Sequence, residues 1–391
     1  MKRVGLYLGF PPHGGGAFQY AQSVLAATLS LPTAEYSVVI AHAHPAWLPL
    51  LQPHTVRAEL LPVPESRLNP VLHFLLRQGI SAKLWRILAR RLHPGTRKLL
   101  AQNCDLWICP AQDVLTYALP ARTIGVIHDL MHRYESRFPE VSRRGLFRRR
   151  ERHYRNICAR AAAILVDSAV GKSHVMESYD VAPDRIHVLP YVAPPYMRNP
   201  EPADFDSRYP LPASFVFYPA QFWEHKNHVR LLQAFSAALK SVPDLHLVLA
   251  GSSKNADTKI RQAINNLCLQ HHVKLLGYVP DEDMPGFYRR ARGLVMPTFF
   301  GPTNIPPLEA MSAGCPMAVS NIYAMPEQVG DAALLFDPSS VEEIARAIVR
   351  LATDEALRSR LSEAGRRRAQ QWDQPHFEAR LHQIVRNTIN T

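Results

Sequence analysis

The chain has 391 residues, 47% of them hydrophobic and 20% charged. That is too long for one ordinary core and too apolar for a disordered chain, so two globular domains are expected. A net charge of +12 favours anionic partners, such as nucleotides, diphosphates, lipid head groups or nucleic acid, without choosing among them.

The opening MKRVGLYLGFPP stops being apolar after about seven residues, which is short for a secretory h-region. It reads as a first strand, residues 4–9. The strand ends in Gly14, Gly15 and Gly16 and runs into a helix with Ala21, Val24, Leu25 and Thr28 on one face. Glycines allow close backbone approach, and a helix start offers unpaired N–H groups. The charge-poor stretch 37–56 holds three histidines and three prolines, so it is no membrane span. Its first residues, 37–40, form the next expected strand, followed by 106–109 and 123–127. The last delivers His128 and Asp129 to its carboxyl end.

Residues 143–160, from Arg143 to Arg160, read RRGLFRRRERHYRNICAR. They predict a basic helix with Leu146, Phe147, Tyr154 and Ile157 interspersed. Such a helix is either a solvated face or a surface for anionic lipid; a nucleic-acid role has no motif to support it. A strand over 163–166 follows. AVGKS at Ala169 to Ser173 ends like a P-loop, but Val166 stands where that motif needs glycine.

From Pro190 to Pro212 the chain is dense in proline and reads as a linker. Expected strands resume at 215–218, 245–250, 273–276, 293–296 and 317–320. Most strand candidates in both halves are uninterrupted apolar runs alternating with helical segments. This predicts two doubly wound α/β domains with parallel sheets, and ligands at the carboxyl ends of the strands.

After the strand at 215–218, a polar loop carries Lys226, with Asn227 as a helix cap. That is a place to meet a diphosphate, although a lone lysine is otherwise a solvated one. After the strand at 293–296, Pro306 and Pro307 fit a first helical turn. Glu309 is then expected in that turn, placed either to satisfy the helix dipole or to bind a ribose diol. Asp281, Glu282 and Asp283 mimic a metal-binding DxD but read as a helix-capping turn. The histidine pairs and the five cysteines (Cys104, Cys109, Cys158, Cys268, Cys315) lack metal-ligand spacing. The odd cysteine count, with no CxxC, points to a reducing compartment. No metal and no cofactor are expected. The C-terminal stretch reads as helices, with Trp372 as a packing anchor between an arginine-rich one and a final amphipathic one.

Taken in order, these segments resemble glycosyltransferase family 4, the large retaining family with the GT-B fold. The glycine loop at Gly15 and Gly16, IHDL ending at Leu130, LVDSAVGKSHVMESYDVAPDRIHVLP, YPAQFWEHKN, GYVPDEDMPGFYRRARGLVMPT, PPLEAM and EQVGDAALLFDP all find counterparts. The resemblance implies a retaining, metal-independent transfer of a sugar from a nucleotide-sugar donor, with GDP-mannose or a related sugar one candidate. The acceptor would be a glycan or lipid-linked glycan in polysaccharide or lipopolysaccharide biosynthesis. Domains would run 1–195 (acceptor side), 196–212 (linker), 213–370 (nucleotide-sugar side) and 371–391 (a helix packing back on the first domain).

By the same resemblance, Lys226, the Gly15 and Gly16 amides and the helix start before Glu309 would stabilise charge on the leaving diphosphate. Glu309 would hold the ribose, Gly277, Tyr278 and Val279 would lie by the base, and His128 would face the donor sugar. His128, Lys226 and Glu309 are the catalytic candidates, with Ile305 and Leu308 completing the donor-binding set. Two positions depart from the pattern. Gly301 stands where the first of two glutamates belongs, with Thr303 and Asn304 as substitute side chains. Gln221 replaces an arginine near the lysine. The protein is expected in the cytoplasm, peripheral to the inner face of the membrane through the basic helix, with no nucleic-acid partner. The alternatives are a non-catalytic sugar-nucleotide-binding subunit, and a sugar-nucleotide epimerase of the same architecture, which would turn over donor without an acceptor.

Overall fold

A computed structural model describes residues 1–12, 15–63, 84, 87, 91 and 93–390. Gly14 of the glycine turn lies outside the described residues. The chain divides into two compact units: Met1–His132, Arg144–Tyr191 and Gln374–Thr391 form the first, and Arg133–Arg143 with Val192–Asp373 the second.

Unit 1 is built on seven parallel strands: β1 (Lys2–Leu8), β2 (Tyr36–His42), β3 (Ala58–Pro62), β4 (Leu106–Ile108), β5 (Thr123–Val126), β6 (Ala163–Val166) and β7 (Ile186–Val188). Their order is β3-β2-β1-β4-β5-β6-β7. Unit 2 has six: β8 (Phe215–Pro219), β9 (His246–Ala250), β10 (Val273–Gly277), β11 (Gly293–Met296), β12 (Met317–Ser320) and β13 (Ala333–Phe336), in the order β10-β9-β8-β11-β12-β13. Every strand pair is parallel. The strand order reverses between β1 and β4 in the first sheet and between β8 and β11 in the second. Loops leaving those strands diverge and open a crevice, which is where doubly wound sheets bind ligands.

The central strands are buried on both faces because they carry almost nothing but apolar side chains. In unit 2 the core is aromatic. Phe217 stacks on Phe287 at 5.3 Å, and Phe205 lies where a Cβ on Gly286 would reach within 2.5 Å of its ring. In unit 1 the helix Gly16–Leu29 buries Tyr20, Ala21, Val24, Leu25 and Thr28. The helix Gln374–Asn390 packs on it. Phe377 sits edge-on to Tyr20 at 5.8 Å, and His382 Nε2 lies 2.8 Å from the Ala27 carbonyl.

Several expectations need correction. The proline-rich stretch is no spacer, because Met197 and Phe205 are fully buried in unit 2. Arg208 donates twice to the buried Asp283 carboxylate, at 2.7 and 2.6 Å. The bidentate pair holds the stretch down. Asp283 therefore anchors this segment instead of capping the helix Met284–Arg290, which has no side-chain cap. The helix starting at Ala169 is capped by Ser168, whose Oγ accepts from Gly171 N at 2.9 Å. The basic helix spans Leu146–Arg160 and buries Tyr154, Ile157 and Cys158 against unit 1. Its apolar face is thus already used, leaving Arg148, Arg149, Arg152, Arg155 and Phe147 exposed. No described helix is long and apolar enough to cross a membrane.

Candidate functional site

In unit 2 the crevice between β8 and β11 is lined by two loops. The first, after β8, forms a short 3-10 turn over Glu224–Lys226. Asn227 then takes a left-handed conformation at φ 62°, which asparagine tolerates. Its side-chain amide donates to the carbonyls of Pro297 (2.9 Å) and Pro338 (2.8 Å). Tyr218 donates to the Lys226 carbonyl at 3.1 Å. The backbone around Lys226 is thereby pinned, and its ammonium donates to Asn304 Oδ1 at 3.1 Å.

The second loop leads from β11 to the helix Ile305–Ala313. Asn304 precedes that helix but its side chain does not cap it. The side chain turns instead to Lys226 and to the Phe300 carbonyl, at 3.1 Å. Gln328 braces the Asn304 backbone on both sides: its Oε1 accepts from Asn304 N at 3.0 Å and its amide donates to Asn304 O at 2.6 Å. A helix start with no side-chain cap and a cation beside it suits a phosphate. Ile305 is the first helical residue, and Leu308 lies one turn on.

Gly301 occupies a left-handed backbone at φ 96°, and a Cβ there would come within 2.6 Å of Asn304 Nδ2. The backbone at position 301 therefore suits glycine. The loop that lets Asn304 reach Lys226 has no room for a side chain at 301.

Glu309 lies deeper than expected. With the helix starting at Ile305 it is the fifth helical residue, past the first turn, and only 4% exposed. Tyr288 donates to its Oε2 at 2.6 Å, and Tyr196 donates to Oε1. Burial raises its pKa, against the lowering effect of these two bonds. Any diol that binds this carboxylate has to share it with the Tyr196 hydroxyl.

A neighbouring pair has no signal in the local sequence. Glu140, from the segment Arg133–Arg143, accepts from His225 at both its backbone N (3.0 Å) and its Nδ1 (2.5 Å). Asn255 donates to its other oxygen at 2.9 Å. Burial works to raise the Glu140 pKa, but these bonds outweigh it and hold it at about 2. An ionised carboxylate only accepts, so His225 Nδ1 carries the proton. The His225 ring stacks on Phe300 at 3.8 Å, and Phe138 of the same segment packs edge-on to Phe300 at 5.3 Å. The segment thus ties the Lys226 turn to the loop after β11.

The remaining unit 2 candidates sit apart. Gln221 is exposed and accepts from Trp223 Nε1 at 2.9 Å. Gly277, with φ 72°, ends β10 at the sheet edge. Tyr278 beyond it is 67% exposed, while Val279 is buried. Thr303 is half-buried beside Asn304.

In unit 1, Gly15 has φ 68° and precedes the helix at Gly16 with no side-chain cap. Both glycines are exposed. His128 and Asp129 follow β5 but serve different partners. Asp129 accepts from Arg150 at 2.6 Å and from Met131 N at 3.0 Å. His128 Nδ1 lies 2.7 Å from the Tyr191 hydroxyl. Burial lowers the His128 pKa to about 4, so the ring is neutral near pH 7. Among the described residues, no three His, Cys, Asp or Glu side chains converge on a point that could hold a metal ion.

Two parallel doubly wound sheets with these crevices define a GT-B α/β protein. The likeness to the crystal structure of Anabaena Alr3699/HepE in complex with UDP and glucose bears this out: it covers 99% of this chain and 100% of that one with a TM-score of 0.73. At 15% identity that comparison speaks for the fold alone. Residues 202–368 match the family Glycosyl transferases group 1. O-antigen chain mannosyltransferase B of Escherichia coli is 28% identical over 309 residues, 77% of this chain and 79% of its own length. Serotype-specific mannosyltransferase WbdA of Escherichia coli is 27% identical over 206 residues, 51% of this chain and 25% of its own length. The chain is a glycosyltransferase.

Proposed function

We propose that this glycosyltransferase moves a hexose, with mannose the first candidate, from a nucleotide-sugar donor to a glycan or lipid-linked glycan in bacterial surface-polysaccharide assembly. Retention of configuration and independence from metal are part of the proposal. The observation that carries it is the Lys226–Asn304 pair at the uncapped start of the helix Ile305–Ala313. A leaving nucleoside diphosphate gathers negative charge on its phosphate oxygens, and a fixed ammonium beside the positive end of the helix dipole stabilises that charge as it develops. Lys226 then exchanges Asn304 for a phosphate oxygen. Glu309 takes the ribose, Gly277, Tyr278 and Val279 flank the base, and the Gly15 and Gly16 amides and His128 serve the phosphate and sugar ends. The E. coli relatives named for O-antigen and serotype-specific mannosyl transfer support the mannose and polysaccharide readings.

The exposed arginines of the helix Leu146–Arg160 supply a weak, salt-sensitive attraction to anionic lipid at the inner face of the membrane. Purified protein incubated with GDP- and UDP-sugars, a lipid-linked acceptor and EDTA should release nucleoside diphosphate from one donor, with GDP-mannose tried first. NMR of the product should show the donor's anomeric configuration. Release that requires added metal, or an inverted product, overturns those parts of the proposal. Donor binding without any release makes the chain a non-catalytic binding subunit, and donor turnover without acceptor makes it an epimerase.

A further inference from the structure

Among the described residues, the polar groups around His128 leave one atom without a partner. Tyr191, just past β7, meets His128 Nδ1 at 2.7 Å. Tyr20 closes the cluster, its ring 5.2 Å from His128 and 4.9 Å from Tyr191, and its hydroxyl reaches the Leu189 carbonyl at 3.4 Å. Phe377 backs Tyr20. Asp129 does not compete for the ring, since its Oδ1 is occupied by Arg150 and Met131 N. His128 Nε2, by contrast, is buried with no hydrogen-bond partner.

The two tautomers can be weighed by counting orphans. If Nδ1 carries the proton and gives it to the Tyr191 oxygen, the tyrosine's own proton and the bare Nε2 are both left unmet. If Tyr191 donates to a bare Nδ1, only the Nε2–H is unmet. Each buried orphan forfeits its hydration without return, so the second arrangement is preferred. Burial also raises the Tyr191 pKa far above the ordinary tyrosine value, so its hydroxyl keeps its proton.

We propose that Tyr191 is a positioning residue that locks His128 as the Nε2–H tautomer, making this histidine a hydrogen-bond donor to a hydroxyl oxygen of the bound sugar and not a proton acceptor. The lock rests on geometry within unit 1. The choice of a sugar as recipient rests on the function proposed above.

The test uses the full chain with 15N-labelled histidine. Long-range 1H–15N NMR separates protonated from bare ring nitrogens, and His128→Gln assigns the signal. Wild type should show a protonated Nε2 and a bare Nδ1. Tyr191→Phe keeps the ring packing on Tyr20 but removes the hydroxyl. It should yield mixed tautomers and lower kcat about tenfold with donor KM unchanged, the scale of one lost orienting bond. A wild-type proton on Nδ1, or a pure Nε2–H in Tyr191→Phe, overturns the lock. Should Tyr191→Phe not fold, the wild-type spectrum alone decides. Full activity in His128→Gln with the wild-type tautomer as stated removes the sugar assignment and leaves the lock standing.

Discussion

The two sheets have the same reversal of strand order yet arm it differently. At the β8/β11 crevice the polar groups are side chains: Lys226 held to Asn304, with Gln328 behind and Glu140–His225 alongside. At the β1/β4 crevice the described part of the first loop presents the backbone of Gly15 and Gly16, and the histidine that follows β5, His128, is a neutral ring. A fold shared by both units therefore does not dictate chemistry. What differs is whether charge is brought by a lysine or by amide dipoles, and only the lysine can be deleted by one substitution without touching the backbone.

The sharpest way to break this contrast is Lys226→Ala. It should cut kcat/KM for the donor by about 10²- to 10³-fold, as loss of one preorganised charge-stabilising group does, with the thermal melt unchanged. A loss of less than tenfold would remove the lysine from the chemistry.

Gly301→Glu introduces the side chain that the resemblance to family 4 leads one to expect at this position. Because φ is 96° and a Cβ would crowd Asn304, it should lower kcat/KM about tenfold and not raise it, by pushing Asn304 off Lys226. A gain of activity would show that the loop relaxes around a side chain.

Glu140→Gln comes next. With its pKa held at about 2 against an ordinary 4.5, the folded state binds this proton less readily than the unfolded one. The pair's contribution is therefore present above pH 4.5 and lost as pH falls towards 2. Chemical denaturation should find the variant about 2 kcal/mol less stable at pH 7 after allowing for solvent screening. The difference should vanish near pH 2; a gap constant with pH would mean that packing, not the charge, is what the substitution removes.

The mildest change belongs to the other crevice. Gly15→Ala meets open space but has to adopt φ 68°. It should cost about 1 kcal/mol in stability and raise donor KM with kcat unchanged. A large drop in kcat would make the glycine turn as important as the lysine and dissolve the contrast.

Legibility from sequence followed burial. The strands at the centre of each sheet are apolar runs, and residues 163–166, 293–296 and 317–320 match β6, β11 and β12 to the residue. The three missed strands, β3, β7 and β13, are all sheet edges. AELLP in β3 carries an exposed Glu59 and ends in proline, so it shows no unbroken apolar run. Lys226, Asn304 and Glu309 were findable because each follows a strand end. The depth of Glu309 was not, since it depends on the helix starting at Ile305 and on Tyr196 and Tyr288 arriving from elsewhere. Glu140 was invisible for the same reason: it meets His225 across 85 positions of chain. Tyr191 sits in a stretch whose prolines suggested a spacer.

The placement of Arg133–Arg143 in unit 2 has a practical corollary for anyone recombining such enzymes. A crossover at the apparent border near residue 192 would splice residues 192–373 from one parent to a Glu140 and Phe138 from another. The His225 carboxylate partner and the ring packed on Phe300 would then be mismatched in one stroke. A chimera that respects the architecture has to be a mosaic, with 133–143 and 192–373 taken from one parent and the rest, including the final helix from Gln374, from the other. Expressing 192–373 alone would likewise strip His225 of its carboxylate and uncover Phe299 and Phe300, a recipe for an insoluble fragment.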